Sequence, residues 1–287
     1  MADKVEYSIR GGFLEIPVMD FYGPCNTSRN KEYTVGWAYK VILVKRGAPI
    51  QVFDLVCAEE GKVAENGNFV IASDVKPDKL SSVLNAYSRE GELLIRLKVR
   101  ALVFNKGISP SGDYAVWQTA HNPDSNDGNQ LIFFDLIKRE ATWAIPAEPG
   151  WASDYEFDDV NKILNLVYRG GQSYRYTYAG EFLDAEKLET NLLNSNSPYD
   201  VLRAVGDKLD SGDITTGEYP KLIGYLEAAL SKSPEPDAKS SIYRRLGEMY
   251  YALEGRAEAI DYLEKALKLN PRVGAKRLLG KIKKEMN

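Results

Sequence analysis

Residues 240–271 read SSIYRRLGEMYYALEGRAEAIDYLEKALKLNP, and this stretch decides the fold of the last third of the chain. Tyr243, Leu246 and Tyr250 recur at three- and four-residue intervals, the spacing that places side chains on one face of a helix. Glu254 and Gly255 then form a turn before the apolar residues resume. The closing proline cannot continue a helix. The stretch therefore predicts two consecutive helices joined by a short turn.

Small residues in this stretch stand where two packed helices would cross closely. Gly247, Ala259 and Ala266 are the small positions, and Leu263 is a large one between them. With the aromatic positions and the closing proline, they form a signature that resembles the tetratricopeptide (TPR) repeat, a helix–turn–helix unit of about 34 residues. The resemblance implies a helical hairpin whose surface binds other proteins.

A degenerate copy of the same pattern lies upstream. Its corresponding apolar positions are Leu209, Leu222, Leu226 and Ala229. Residues 211–213 (Ser-Gly-Asp) interrupt its first helix, which predicts an altered helix or a longer connection to the next one. Residues 275–286 place apolar side chains on one helical face and would form a capping helix. Two repeats are fewer than the three usually needed for stability, so we expect the array to pack against the preceding domain or against another chain.

The resemblance also assigns a partner-binding surface. The positions that line the groove of a TPR domain correspond to Ser241, Arg244, Glu248 and Tyr251. TPR domains that bind the C-terminal carboxylate of chaperones carry a lysine and an asparagine in this signature. This sequence has arginine and glutamate there, so we do not expect that specific role. Arg244 and Arg245 have a simpler alternative, as part of a solvated helix face.

Before residue 191 the apolar residues follow a different pattern. Short apolar runs rich in β-branched and aromatic residues alternate with Gly, Asn, Asp and Pro turns, which is typical of strands. Three such runs begin at Phe69, Leu93 and Leu131. We therefore predict an all-β domain over residues 1–190, a linker at residues 191–198 and an all-α domain over residues 199–287.

Four strand starts in the β half follow a turn at similar intervals. They are Tyr33, Phe69, Tyr114 and Ile163, spaced 36, 45 and 49 residues apart. This spacing, together with the segment 108–145, in which a strand ends in Asp135, resembles the blades of WD40-like β-propellers. The resemblance implies a small or incomplete propeller. A β-sandwich of meandering hairpins is the alternative.

A hairpin closes the β half. Gly170 and Gly171 supply a tight turn, and alternation then puts Tyr174, Tyr176 and Tyr178 on one face of the following strand. Three tyrosines in a row could stack on sugars or bases. The alternative, which we favour, is that they pack in a core or against another domain.

Little in the sequence points to catalysis. His121 is the only histidine and lies in a loop of turn formers, where Asp124, Asn126 and Asp127 lack the spacing of an EF-hand. The sequence has neither a nucleophile elbow nor a glycine-rich phosphate loop, and its two cysteines cannot form a zinc cluster. We therefore predict no catalytic residues, no metal site and no cofactor. A hydrolase would have to use acidic loop residues such as Asp20, Asp54, Asp135 and Asp158.

Composition narrows the class of partner. The net charge is −4, and neither half carries a strong basic excess, so we expect no nucleic-acid binding. No apolar run is long enough to span a bilayer. The first residues include acidic side chains and no apolar core, so we expect no secretory signal and a cytoplasmic location. The sequence names no small-molecule ligand.

These features favour a non-enzymatic adaptor or scaffold. Its TPR-like domain would bind a protein partner or self-associate. The first alternative is a carbohydrate- or peptide-binding β domain that the TPR part only oligomerises. A hydrolase that uses loop carboxylates is the third hypothesis.

Overall fold

The computed structural model describes strand segments between residues 4 and 53 and the chain at residues 58–212, 214–232 and 235–286. The chain divides into two compact units, Met1–Asp184 and Ala185–Asn287. The first unit is built of strands and the second of helices, in the order that the sequence predicts. Along the described chain, no helix combines the length and the apolar character needed to cross a membrane.

The described strands of the first unit form five antiparallel sheets, in which each strand pairs with its neighbour in the sequence. The strands are β1 (Lys4–Ile9), β2 (Gly12–Pro17), β3 (Asn26–Arg29), β4 (Tyr33–Trp37), β5 (Val41–Lys45), β6 (Ala48–Phe53), β7 (Glu59–Val63), β8 (Phe69–Lys76), β9 (Ser81–Tyr87), β10 (Leu93–Val99), β11 (Val103–Ile108), β12 (Tyr114–Thr119), β13 (Gln130–Asp135), β14 (Glu140–Pro146), β15 (Asp154–Asp158), β16 (Ile163–Val167) and β17 (Ser173–Thr177). Sheet I holds β1–β2, sheet II β3–β6, sheet III β7–β10, sheet IV β11–β14 and sheet V β15–β17.

Sheet IV packs face to face with sheet III on one side and with sheet V on the other. On β12, Trp117 lies in the core shared with sheet III, whereas Val116 lies in the core shared with sheet V. Phe134 and Phe133 on β13 divide in the same way. Because both faces of these strands are buried, their sequence is a continuous apolar run. A two-sheet sandwich leaves one face of each sheet in solvent, so the sandwich alternative does not describe sheet IV.

The first strands of sheets II to V lie side by side. β3 contacts β7, β7 contacts β11, and β11 contacts β15. Lys62 on β7 forms an ion pair of 3.6 Å with Asp154 on β15, so these first strands converge. Gly107 allows β11 to lie close to β15, because a Cβ at this position would lie only 3.1 Å from the Cβ of Tyr155 on β15.

The repeat that the sequence predicts in the β half is confirmed for the strands. Tyr33, Phe69, Tyr114 and Ile163 each begin the second strand of a sheet, from sheet II to sheet V in order. In the described part of the chain, these sheets form a series that does not close into a ring. The structure thus shows blade-like meanders, and the propeller itself stays a prediction.

The chain covers the edge of sheet V with the segment that follows β17. The Leu183 amide donates to the Arg175 carbonyl at 2.9 Å. The buried Asp184 carboxylate accepts from the Arg175 amide at 2.7 Å and from its guanidinium at 2.6 Å. This pairing raises the pKa of Arg175. An edge strand with satisfied backbone groups does not offer itself for pairing with another chain.

The second unit consists of helices. They are α1 (Ala185–Leu193), α2 (Pro198–Ser211), α3 (Tyr219–Ser231), α4 (Pro236–Ala252), α5 (Arg256–Leu269) and α6 (Lys276–Glu285). The segment 191–198, which the sequence predicts as a linker, overlaps the end of α1. α2 ends before Gly212, whose φ is +76°, and a 3-10 turn at Thr216–Glu218 leads to α3. The degenerate repeat therefore has the longer connection, one of the two predicted outcomes.

The hairpin predicted from residues 240–271 is confirmed. α4 and α5 cross at Gly247, where a Cβ would lie 2.6 Å from Cγ of Leu263. Ala259 and Ala266 on α5 are fully buried. Glu254, with a φ of +62°, makes the turn between the helices. α6 packs on α5, the position expected for a capping helix. Its Ile282 lies in the same core cluster as Leu263 and Ala259.

Candidate functional site

An open groove of about 330 Å³ lies in the helical unit between α2 and α4. We call it the α2–α4 groove. Its lining residues are Tyr199, Leu202, Arg203, Ser241, Arg244 and Arg245. It is a concave surface of the kind that binds a segment of another molecule.

Helical spacing explains how each wall forms. On α2, Tyr199, Leu202 and Arg203 stand three and four positions apart, and such residues are neighbours on a helix surface. Ser241, Arg244 and Arg245 have the same spacing on α4. Pro198 begins α2 at a position where its missing amide hydrogen costs no helical bond. The Tyr199 side chain is 54% exposed and gives the groove an aromatic rim.

One carboxylate positions two of the arginines. Glu248 accepts a hydrogen bond of 2.7 Å from Nε of Arg244 and one of 3.0 Å from Nη1 of Arg245. Arg244 also donates from Nη1 to the Val273 carbonyl at 3.1 Å, and Nη2 of Arg245 lies 3.8 Å from a carboxylate oxygen of Asp210 on α2. The two guanidiniums are therefore held in place before any ligand arrives.

Two glycines make room for these guanidiniums. A Cβ on Gly206 of α2 would lie 3.3 Å from Nη2 of Arg245. A Cβ on Gly274, whose φ is +84°, would lie 3.3 Å from Nη1 of Arg244. Because glycine has no side chain, each guanidinium lies directly against the backbone of a neighbouring segment.

The lining of the groove carries positive charge. Arg203, Arg244 and Arg245 are among its six lining residues, and none of the six is acidic. Arg203 lies 3.7 Å from Asp207, an i, i+4 pair in which the aspartate side chain is 71% exposed. An exposed pair of this kind contributes little stability and is screened by salt.

The structure separates the four groove residues that the TPR resemblance assigns. Ser241 and Arg244 line the groove. Glu248 lies behind them and pairs with Arg244. Tyr251 contacts α6 instead: its hydroxyl donates to the Glu285 carboxylate at 3.2 Å, and Nζ of Lys281 lies 5.3 Å from its ring centre.

The α2 wall of the groove was not predicted as a site. The wall consists of Tyr199, Leu202 and Arg203. Its sequence carries two signals, a proline at the first helical position and an apolar-polar set at helical spacing. Neither signal says which face of α2 meets α4.

Tyr176 on β17 and Tyr178, which follows this strand, lie in the core between sheets IV and V, and the Tyr174 ring is buried beside Tyr168 and Phe182. The exposed fractions of Tyr174 and Tyr176 are 3% and 0%. The Tyr176 hydroxyl accepts from the Glu148 amide at 2.8 Å, and the Tyr178 hydroxyl donates to Asp159 at 2.7 Å. Burial raises the pKa of Tyr176 to about 12 and that of Tyr178 well above its ordinary value. Rings buried in this way do not form an exposed stacking surface.

An exposed aromatic pair lies elsewhere in the β unit. Phe104 on β11 and Trp151 stack with their ring centres 5.1 Å apart, and they are 44% and 46% exposed. The loop that carries Trp151 is fixed from both sides. Gln118 donates to the Gly150 carbonyl at 2.9 Å, and its side-chain oxygen accepts from the Ala152 amide at 2.9 Å.

The acidic and histidine candidates have local structural roles. Asp158 accepts from the Asn161 amide and side chain, and these hydrogen bonds lower its pKa. Asp135 accepts from the Lys138 amide at 2.9 Å. His121 is exposed and lies 2.9 Å from the Asn129 side chain.

Two further acidic candidates, Asp20 and Asp54, lie outside the described residues. In the loop that contains Asp124, Asn126 and Asp127, the Asp127 carboxylate accepts a hydrogen bond of 2.7 Å from the Arg100 amide. Among the described residues, no group of three or more His, Cys, Asp and Glu side chains could hold a metal ion.

Comparison with known proteins gives no family. No family model and no curated protein matches the sequence. Among solved structures, the crystal structure of Hsv2 from Kluyvelomyces marxianus is similar over 58% of this chain and 50% of that chain, with 12% identity and a TM-score of 0.39. The match spans half the length of that chain, and at this TM-score it decides neither fold nor function.

Proposed function

We propose that the protein is a non-enzymatic interaction adaptor whose helical unit binds a peptide segment of a partner in the α2–α4 groove. One observation carries the proposal. Ser241 and Arg244, which the TPR resemblance assigns to a binding surface, line an open groove with the exposed Tyr199 on the facing helix. A concave helical surface with an aromatic rim is suited to an apolar anchor on a partner segment.

The architecture that we propose with this function has two parts. The pairs α2–α3 and α4–α5 would be two TPR-like hairpins with α6 as their cap. The close crossing at Gly247 supports this assignment. Sheets II to V would be blades of an open propeller, and the convergence of their first strands supports it. The cytoplasm remains the predicted location.

Selection of a displayed random-peptide library on the full chain tests the groove. We expect enriched peptides, and we expect Ser241→Trp to weaken their binding more than tenfold, because an indole at this position fills the groove. Ala257→Trp is the matched control, since it adds the same side chain to an exposed position on α5. Equal binding by wild type and Ser241→Trp would show that the groove is not the site.

A second candidate function is ligand binding by the β unit. The exposed Phe104–Trp151 pair favours it, because two stacked aromatic rings, one on β11 and one on a loop held by hydrogen bonds, can bind a sugar ring or an apolar peptide side chain. A glycan array and the same peptide library, applied to wild type and Trp151→Ala, test this function. Loss of the same ligands from Trp151→Ala but not from Ser241→Trp would support it, and unchanged binding by Trp151→Ala would exclude the pair.

A further inference from the structure

We propose that the α2–α4 groove selects acidic peptide segments and that Arg203 and Arg245 bind their carboxylates. This inference rests on the proposed function, and it adds the chemistry of the ligand. The three arginines among the lining residues, with no acidic residue beside them in the lining, carry the argument.

The lining arginines are paired with carboxylates that differ in exposure and distance. Glu248 accepts hydrogen bonds from the guanidiniums of both Arg244 and Arg245. Two further carboxylates, those of Asp207 and Asp210, are 71% and 72% exposed and stand 3.7 and 3.8 Å from Arg203 and Arg245. Exposed pairs at these distances are weak and screened. A ligand carboxylate that meets a guanidinium with two parallel hydrogen bonds can compete with them.

The Arg245 guanidinium is held in position before a ligand binds. Its side chain is 23% exposed, and it lies between Glu248 on its own helix and the Gly206 backbone on α2. A guanidinium that is already held loses little conformational entropy when it binds a ligand. Arg203, on the opposite wall and 43% exposed, supplies a second cation that can adjust to the ligand.

The rest of the lining specifies more than charge. Tyr199 and Leu202 lie beside Arg203 on α2 and offer aromatic and aliphatic surface. The chemistry of the groove therefore fits a segment in which an apolar side chain is flanked by aspartate or glutamate.

The test uses peptides enriched by the display selection on the full chain. We expect them to be rich in Asp and Glu, and we expect binding to fall as salt is added. Arg203→Glu and Arg245→Glu should each lower the affinity about tenfold, the size expected for a lost charge-assisted hydrogen bond. Arg272→Glu, at an exposed position between α5 and α6, is the control and should leave the affinity unchanged. Arg203→Gln removes the charge without reversing it, and circular dichroism checks that each variant is folded.

The outcomes separate this inference from the proposed function. If the enriched peptides are neutral or basic and do not bind the Ser241→Trp variant, the selection for acidic segments is wrong, but the groove is still the binding site. Acidic peptides that tolerate both arginine reversals would overturn the role of the arginines. Peptides that bind Ser241→Trp unchanged, or a selection without enriched peptides, would overturn the groove itself. A single-stranded RNA oligonucleotide that binds through Arg203 in the absence of any acidic peptide would assign the groove to a phosphate backbone and overturn the inference.

Discussion

Gly247 determines how closely α4 approaches α5. A Cβ at this position would lie 2.6 Å from Cγ and 2.8 Å from Cδ2 of Leu263, and 3.2 Å from the Ala259 carbonyl oxygen. We expect Gly247→Ala to lower the free energy of unfolding by about 1–3 kcal/mol, because the added methyl group overpacks a buried crossing. Thermal or urea unfolding of the full chain, followed by circular dichroism, measures the change.

Gly224 provides the matched control. It lies in α3, and a Cβ there would meet nothing within 4 Å. Gly224→Ala should raise the stability by up to about 1 kcal/mol, since alanine favours a helix more than glycine does. If both variants changed stability in the same direction by the same amount, Gly247 would have no special role at the crossing.

The buried tyrosines should make the stability depend on alkaline pH. Burial raises the pKa of Tyr176 from 10.0 to about 12, and it also raises the pKa of Tyr155 and Tyr178. Above pH 10 the unfolded chain releases phenolic protons that the folded chain retains. The folded state therefore binds more protons, and its stability falls as the pH rises from 10 towards 12, whereas below pH 10 this contribution is fully present.

Unfolding at a series of pH values, with tyrosinate absorbance as the second signal, checks this expectation. Tyr176→Phe should reduce the slope above pH 10. It should also lower the stability at neutral pH by roughly 1–3 kcal/mol, because the Glu148 amide loses its acceptor. Ionisation of all 18 tyrosines in a chain that is still folded would contradict the account.

Side-chain types at fixed spacing were predictable at the residue scale, and their partners were not. The TPR resemblance located Ser241 and Arg244, which line the groove. It also assigned Tyr251, whose hydroxyl instead bonds Glu285 on the capping helix. Helical spacing shows that two residues share a face, but the element that covers this face depends on packing between segments far apart in the chain.

At the scale of elements, Asp184 anchors the segment that covers β17. Its carboxylate is buried and accepts from the Arg175 amide and guanidinium. We expect Asp184→Ala to destabilise the chain by roughly 1–3 kcal/mol, because the Arg175 amide loses its acceptor at the edge of the sheet. Urea unfolding measures the loss.

Asp154 on β15 is the matched control for Asp184. It is 59% exposed, and its pair with Lys62 is 3.6 Å long. Asp154→Ala should change the stability by less than about 1 kcal/mol, as is usual for exposed pairs. Equal losses of stability in the two variants would contradict the proposal that Asp184 anchors the segment that covers β17.

Helices and strands with a clear sequence pattern were predicted correctly, whereas a strand with a weak pattern was missed. The strands that begin at Phe69 and Ile163 are short apolar runs beside turn residues, and the α4–α5 hairpin carries a clear helical pattern with a turn. β11 was not predicted except for its last residue, Ile108. This strand includes Asn105, Lys106 and Gly107, which strand propensities disfavour, and it forms because it packs beside β7 and β15.

At the scale of the whole molecule, the order of the two halves follows from composition and period. Short apolar runs between turn residues before residue 184 and helical spacing after it separate a β unit from a helical unit. How far the series of sheets closes depends on the twist and packing of each sheet on the next, which a local pattern does not encode. The groove between α2 and α4 arises in the same way, from two helices that are separated by 24 residues of sequence.

Hydrogen–deuterium exchange of the full chain, with and without a peptide enriched by display, tests the central claim most directly. The claim is that a partner segment binds between α2 and α4. We predict slower amide exchange in Pro198–Ser211 and Pro236–Ala252 when the peptide is bound, and unchanged exchange in sheets III to V. Protection confined to β11 and the loop that carries Trp151, with unchanged exchange in α2 and α4, would contradict it.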